Sequence, residues 1–171
     1  MADMHLRQGG ADDVPAILGV LDSAVAWLNE RGITGQWGTE PWSARPRAVR
    51  GVREAAERGG AWLAEAGGVA AGALTLAAHP GSAEVPPAGE PELYVRFLAT
   101  DSRFHGRGVG GALLAHAVDE ARRAGVRLLR TDCFAGGGGR LVDYYVRHGF
   151  TPTVAYTSGG AWPGQVLERR V

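Results

Sequence analysis

The sequence predicts a mixed α/β domain, and three observations predict it. Glu92 to Thr100 alternates and is rich in β-branched and aromatic residues, the pattern of a strand. Beyond a polar connector from Asp101 to Phe104, the residues Val109, Leu113, Leu114, Ala117, Val118 and Ala121 recur at helical spacing, so a glycine-rich turn joins strand to helix. Ala61 to Glu65 and Val69 to Ala77 form two more strand patterns around Gly67 and Gly68, which reads as a hairpin.

The other elements follow in chain order. Met4 to Gln8 reads as a short opening strand. Asp12, Asp13 and Pro15 start a helix whose apolar face is Val14, Ile17, Leu18, Leu21, Val25 and Leu28, and Gly32 ends it. Gly32 to Trp42 is a broken, tryptophan-bearing loop and a candidate lid. An Arg- and Glu-rich helix runs from about Ser43 to Arg58. His79 to Pro91 is a Pro/Gly loop. Val126 to Asp132 reads as a strand, Gly136 to Gly139 as a turn, and Arg140 to His148 as a helix. Thr153 to Thr157 and Gln165 to Arg170 are closing strands around a loop with Trp162 and Pro163.

At 171 residues the chain reads as one domain, 1–171, with enough length to bury a core. Its 18 basic and 18 acidic residues cancel, so no basic field favours nucleic acid or an anionic membrane, and no apolar run is long enough to span one. Every basic residue is arginine. Cys133 is the single cysteine, which excludes an intrachain disulfide, and the start of the chain lacks signal-peptide patterning, so the cytoplasm is the expected location. The 5 histidines have no metal-ligand spacing, and no metal is expected.

Gly106, Gly108 and Gly111 fit G-x-G-x-x-G, with Asp132 further on at a strand end, the formal dinucleotide fingerprint. A dinucleotide-dependent oxidoreductase is the weaker reading. The connector separates the strand from the first glycine, and too little chain follows Asp132 for a doubly wound sheet. A helix start after glycines suits any phosphate or pyrophosphate, because first-turn amides lack partners and carry roughly half a positive charge. The same glycines also serve as a plain tight turn.

These residues resemble motif A of the GNAT superfamily of N-acetyltransferases. Leu98, Ala99 and Thr100 stand in its Leu-Ala-Val-like triplet, and His105, Gly106, Arg107, Gly108, Val109 and Gly110 in its Q/R-x-x-G-x-G/A signature, with His at the first position. Leu141 to Phe150 resembles the family's late helix, with Tyr145 before Gly149-Phe150; Gly138 stands where the family often has Asn. The similarity covers about residues 60 to 157, and the earlier part only as a two-helix pattern. It implies a mostly antiparallel sheet of about six or seven strands splayed near Leu98, flanked by about four helices.

It also implies acetyl transfer from acetyl-CoA to a primary amine of a small molecule or peptide, by direct attack. A non-catalytic acyl-CoA sensor of the same fold stays open, as does a homodimer. The Leu98 amide would face the thioester carbonyl, where a backbone donor to an oxyanion is worth roughly 3 kcal/mol. Thr100 and Ala99 would line the pantetheine, and His105, Gly106, Arg107, Gly108, Val109, Gly110 and Gly111 the pyrophosphate. Tyr145 would protonate the leaving thiolate. Tyr94 occupies the family's usual base position, so Glu92 could act two residues further out through water, or be a solvated strand end. Cys133 could carry an acyl group or be a buried hydrophobe. Trp27, Trp37 and Trp42 could wall an aromatic pocket or pin the loop to the core.

Overall fold

A computed structural model describes residues 3–171. The chain runs β1 (Met4–Gln8), α1 (Val14–Glu30), α2 (Pro46–Glu57), β2 (Ala61–Ala66), β3 (Val69–Ala77), β4 (Leu93–Thr100), α3 (Val109–Arg123), β5 (Leu128–Phe134), α4 (Arg140–Arg147), β6 (Thr151–Ser158) and β7 (Trp162–Arg170). Hydrogen bonding orders the strands β1-β2-β3-β4-β5-β7-β6. The pairs β1–β2, β2–β3, β5–β7 and β6–β7 are antiparallel, while β4–β5 is parallel. This is the mixed, mostly antiparallel sheet with helices that the sequence predicts. The parallel register runs from Leu93↔Leu129 to Val95↔Thr131, and β5 pairs with β7 onward to Phe134↔Gly164.

Several boundaries differ from the sequence reading, each for a local reason. The second helix starts at Pro46 rather than near Ser43, because the residue before a proline is driven out of the helical region: Arg45 has φ −103° and ψ 108°. The strand expected from Val126 starts at Leu128 instead. The Val126 amide closes α3 by donating to the Ala121 carbonyl (3.2 Å) beside Gly125 at φ 72°, a helix-ending motif that removes Val126 from the ladder. Trp162 and Pro163, read as loop, open β7, with Trp162 opposite Ser158 and Pro163 opposite Thr157.

Contacts divide the chain into two compact units, one built from the segment up to Leu76 with Phe97–Leu113, the other from Ala77–Arg96 with Leu114–Val171. The first unit buries the apolar face of α1 (Val14, Ile17, Leu18, Val20, Leu21) with Val52 and Ala56 of α2, Leu63 of β2, Ala73 of β3 and Ala99 of β4. The second unit holds a smaller cluster of Val85, Tyr94 and Val166, with Tyr156 against it.

Arg7 ties the start of the first unit together. Its guanidinium donates to both Asp13 oxygens (3.0 and 2.7 Å) and, through Nε, to Glu65 Oε1 (2.8 Å), linking β1 to the entry of α1 and to β2. The Arg7 hydrogen bonds and the Gly10 amide hold the Asp13 carboxyl down at about 2, and Arg7 lowers Glu65 as well. A carboxyl lowered in the folded state stabilises the fold fully above its unfolded pKa, and this stability disappears as pH falls through the folded value. Denaturant titrations should therefore show wild type more stable than Arg7→Met at neutral pH, with the difference shrinking between about pH 4 and pH 2. A pH-independent difference would contradict the assignment.

Candidate active site

In the first unit, β4 leads through Asp101 and a single 3-10 turn, Ser102–Phe104, into the glycine turn. The exit of β4 is fixed at Asp101: its amide donates to the Ala71 carbonyl (2.8 Å), and its carboxylate accepts from the Arg103 amide (3.0 Å) and Nε (2.9 Å). Ser23 of α1 bonds the amide and hydroxyl of Ser102, both at 2.9 Å. Trp27 of α1 stacks on His105 at 4.6 Å, with the Arg31 guanidinium over the Trp27 ring at 3.9 Å. His105 therefore has a packing partner in the position where the family signature holds Gln or Arg.

Gly106 and Gly108 have φ of 76° and 78°, and a Cβ at either would meet nothing within 4 Å. Their glycine identity is thus set by backbone conformation and not by protein packing. His105, Gly106, Arg107 and Gly108 are exposed. The Ala112 amide makes the i→i−4 bond to Gly108 (3.0 Å), so by helix geometry the amides of Val109, Gly110 and Gly111 precede it without intrahelical acceptors. Gly72 of β3, which the sequence reading passed over, sets where this turn lies. A Cβ there would stand 2.5 Å from Val109 Cγ1, 3.0 Å from Leu113 Cδ1 and 3.1 Å from the Ala99 carbonyl. Leu98 and Thr100 are half-buried beside buried Ala99.

The tryptophans of the candidate lid pack inward. Trp37 and Trp42 lie against the core cluster, and Trp42 meets Phe97 edge-on at 5.6 Å. They pin the loop.

In the second unit, α4 follows the glycine run, where Gly137, Gly138 and Gly139 have φ of 63°, 76° and 76°. Gly138, standing for the family's Asn, is left-handed, a region that Gly and Asn tolerate better than other residues. Tyr145 is 5% exposed and meets Phe150 edge-on at 5.6 Å. Burial raises its hydroxyl pKa far above the usual phenol value, Cys133 and Tyr144 add to this, and its hydrogen bond with Thr131 works the other way. The phenol is neutral and protonated at physiological pH. Tyr144 instead lies 4.5 Å from the His148 ring. Burial and the Asp132 charge push the Cys133 thiol up to about 12, so it is no thiolate nucleophile at neutral pH.

Glu92 is not a solvated strand end. It is buried, and Arg130 Nε and Nη2 hold its two oxygens at 2.5 and 2.9 Å while Arg130 Nη1 donates to the Pro86 carbonyl (3.0 Å). On the same faces of β4 and β5, Tyr94 donates to Asp132 Oδ1 and Tyr156 to Asp132 Oδ2, both at 2.5 Å. Sequence reasoning placed Asp132 only in a dinucleotide fingerprint and never paired it with tyrosines. Among the described residues no group of three or more His, Cys, Asp or Glu could hold a metal ion, and no helix is long and apolar enough to cross a membrane.

Solved structures share this fold along nearly the whole chain. A GNAT-family acetyltransferase from Listeria monocytogenes 4b F2365 has a TM-score of 0.74 at 20% identity, covering 100% of this chain and 98% of its own. The PaiA N-acetyltransferase of Thermoplasma acidophilum, solved with coenzyme A, gives 0.73 at 16% over 99% of each chain. YncA of Salmonella typhimurium, solved with acetyl-CoA, gives 0.67 at 19% over 98% and 93%. Against curated proteins the sequence finds no significant match. At these identities the likeness speaks for the fold, but the model of the acetyltransferase (GNAT) family also matches residues 21–150, spanning both the glycine turn and the Tyr145 helix, and the chain belongs to that family.

Proposed function

We propose that this chain is a single-domain, cytoplasmic N-acetyltransferase that transfers acetyl from acetyl-CoA to a primary amine of a small molecule or peptide by direct attack in a ternary complex. The observation that carries this reading is the exposed pair of left-handed glycines opening α3. Open space where a Cβ at Gly106 or Gly108 would stand, next to first-turn amides without intrahelical acceptors, fits a pyrophosphate. Acetyl-CoA supplies the activated thioester and the pyrophosphate that this turn would hold, and the similar proteins YncA and PaiA were solved with acetyl-CoA and coenzyme A.

In this reading the amides and glycines from His105 to Gly111 bind the pyrophosphate, Ala99 and Thr100 line the pantetheine, and the Leu98 amide donates to the thioester oxygen as it becomes an oxyanion. The amine lone pair would form the C–N bond as the C–S bond breaks; the sulfur would take that electron pair and the Tyr145 hydroxyl proton, and the surplus proton on nitrogen would pass through water to restore the phenol. Burial keeps this phenol protonated at neutral pH, so its O–H is available to hydrogen-bond the developing thiolate. The raised Cys133 thiol supports direct attack over an acyl-cysteine. Glu92, the base candidate from sequence, has both oxygens engaged by Arg130, and we assign it the structural half of that pair.

Tyr145→Phe keeps the ring and removes the donor, so kcat should fall about 100-fold or more with the acetyl-CoA KM nearly unchanged. Tyr144→Phe, about 100° around the helix, should leave turnover near wild type. The reverse pattern in steady-state kinetics would show the wrong tyrosine was chosen. Glu92→Gln should cost about 3 kcal/mol in denaturant titration, because it leaves Arg130 buried and unpaired, while changing kcat little per folded molecule. A kcat loss at intact stability would restore Glu92 as the base. Gly108→Ala and Gly89→Ala both force a side chain into the left-handed region and should lower Tm alike. Only Gly108→Ala should weaken coenzyme A binding in calorimetry, by about tenfold.

A further inference from the structure

We propose that Asp132, aimed by the hydroxyls of Tyr94 and Tyr156, receives the ammonium group of the acceptor, so that the substrate is a cationic amine. The proposal rests on the acetyltransferase reading above and adds the charge of the acceptor to it.

The geometry starts from a glycine. Gly164 on β7 stands between Phe134 on β5 and Tyr156 on β6 in the strand registers. A Cβ at Gly164 would lie 2.4 Å from Tyr156 ring carbons, so the ring crosses β7 only because that position has no side chain. Its hydroxyl thereby reaches Asp132 Oδ2 at 2.5 Å, while Tyr94, fully buried on β4, reaches Oδ1 at 2.5 Å. Phenols are neutral, so both bonds orient the carboxylate without cancelling its charge. Each carboxylate oxygen has about two acceptor sites, and one phenol occupies one of them, which leaves room for an N–H donor.

Arg130, two residues earlier on the strand, does not neutralise Asp132, because its guanidinium is held by Glu92 and the Pro86 carbonyl. Glu84 adds negative potential at Tyr156, and the Asp132 charge is felt at the Tyr145 hydroxyl. Half-buried aromatic rings extend from Tyr156 to Trp162 (6.2 Å) and from Trp162 to Phe134 (5.8 Å), and ring faces attract cations. A carboxylate with charge left over, edged by aromatic rings, selects an ammonium over a neutral or anionic acceptor. An alkylamine of pKa near 10.4 arrives almost wholly in that form at neutral pH, with about one molecule in a thousand uncharged, and the bound ammonium gives one proton to water before its lone pair attacks the thioester.

The test titrates phenethylamine and cadaverine, both cations, into the coenzyme A complex by calorimetry, with thiol release from acetyl-CoA measured for these amines and for aniline, which is uncharged at neutral pH. In Asp132→Asn, affinity for whichever cation wild type binds should drop at least about tenfold. Its kcat/KM should fall in parallel, while coenzyme A affinity and any aniline turnover stay within about twofold. Tyr156→Phe, which keeps charge and ring but frees Oδ2, should give a smaller loss of about threefold, and it decides alone where Asp132→Asn does not fold. Equal cation affinity in wild type and variants overturns the proposal. So does a wild type that binds neither cation, or that acetylates aniline only. A wild type that does not bind coenzyme A defeats the acetyltransferase reading itself, a result distinct from failure at Asp132 alone.

Discussion

Close approach at Gly72 is the constraint on which the glycine turn before α3 depends. Val109 and Leu113 occupy the space a side chain on β3 would take, and the Ala99 carbonyl closes it from β4. Even a methyl group there would have to displace backbone and buried branched side chains together, which packed interiors resist. With α3 held against β3 and the exit of β4 held by the Asp101 amide on Ala71, the chain from Asp101 to Gly108 has both ends fixed. Its glycines can then be spent on left-handed conformations that expose amides. The Trp27–His105 stack and the Ser23–Ser102 bonds add α1 as a third support.

The second unit is organised by how one arginine is used. Buried guanidinium and carboxylate groups are tolerable in pairs, and Arg130 with Glu92 forms a pair whose remaining donor is taken by the Pro86 carbonyl. That leaves the neighbouring carboxylate, Asp132, with neutral phenols. Had Arg130 turned to Asp132, Glu92 would be the uncompensated charge, and Asp132 would face a guanidinium as well as the two neutral phenols. Arg130 also lies over the Tyr94 ring at 5.5 Å, so the same residue that satisfies Glu92 helps hold the tyrosine that aims Asp132.

Much of the fold was legible because its signals are local. The α1 face, the Gly67–Gly68 hairpin and the strand–turn–helix around Gly106 each lie within one periodic run and its punctuation, and they stand where the sequence put them. Boundaries moved where a single backbone group had a competing partner, as at Val126, or where proline restricted its predecessor, as at Arg45. The Tyr94–Asp132 and Glu92–Arg130 contacts each join residues 38 apart across parallel strands. Strand alternation could say that Glu92 and Tyr94 share a face, but not what lies opposite them. Gly72 was illegible for another reason: its value is an absent side chain, which leaves no pattern of its own.

The two kinds of legibility track two kinds of chemistry. A pyrophosphate is recognised by backbone amides and left-handed glycines, and such recognition demands glycine at set spacing within a short stretch, so it is written as a motif. Under the Asp132 proposal, the acceptor would be recognised by side chains that strands carry to one face from β4, β5 and β6, where many residue combinations give a usable surface and none has a fixed spacing. Tyr156 reaches Asp132 only across Gly164, and neither partner predicts the other in sequence. If Asp132 selects the amine and the glycine turn holds the phosphates, this chain could change its acceptor by substitutions at scattered strand positions without disturbing that turn, because the two tasks fall on different residues.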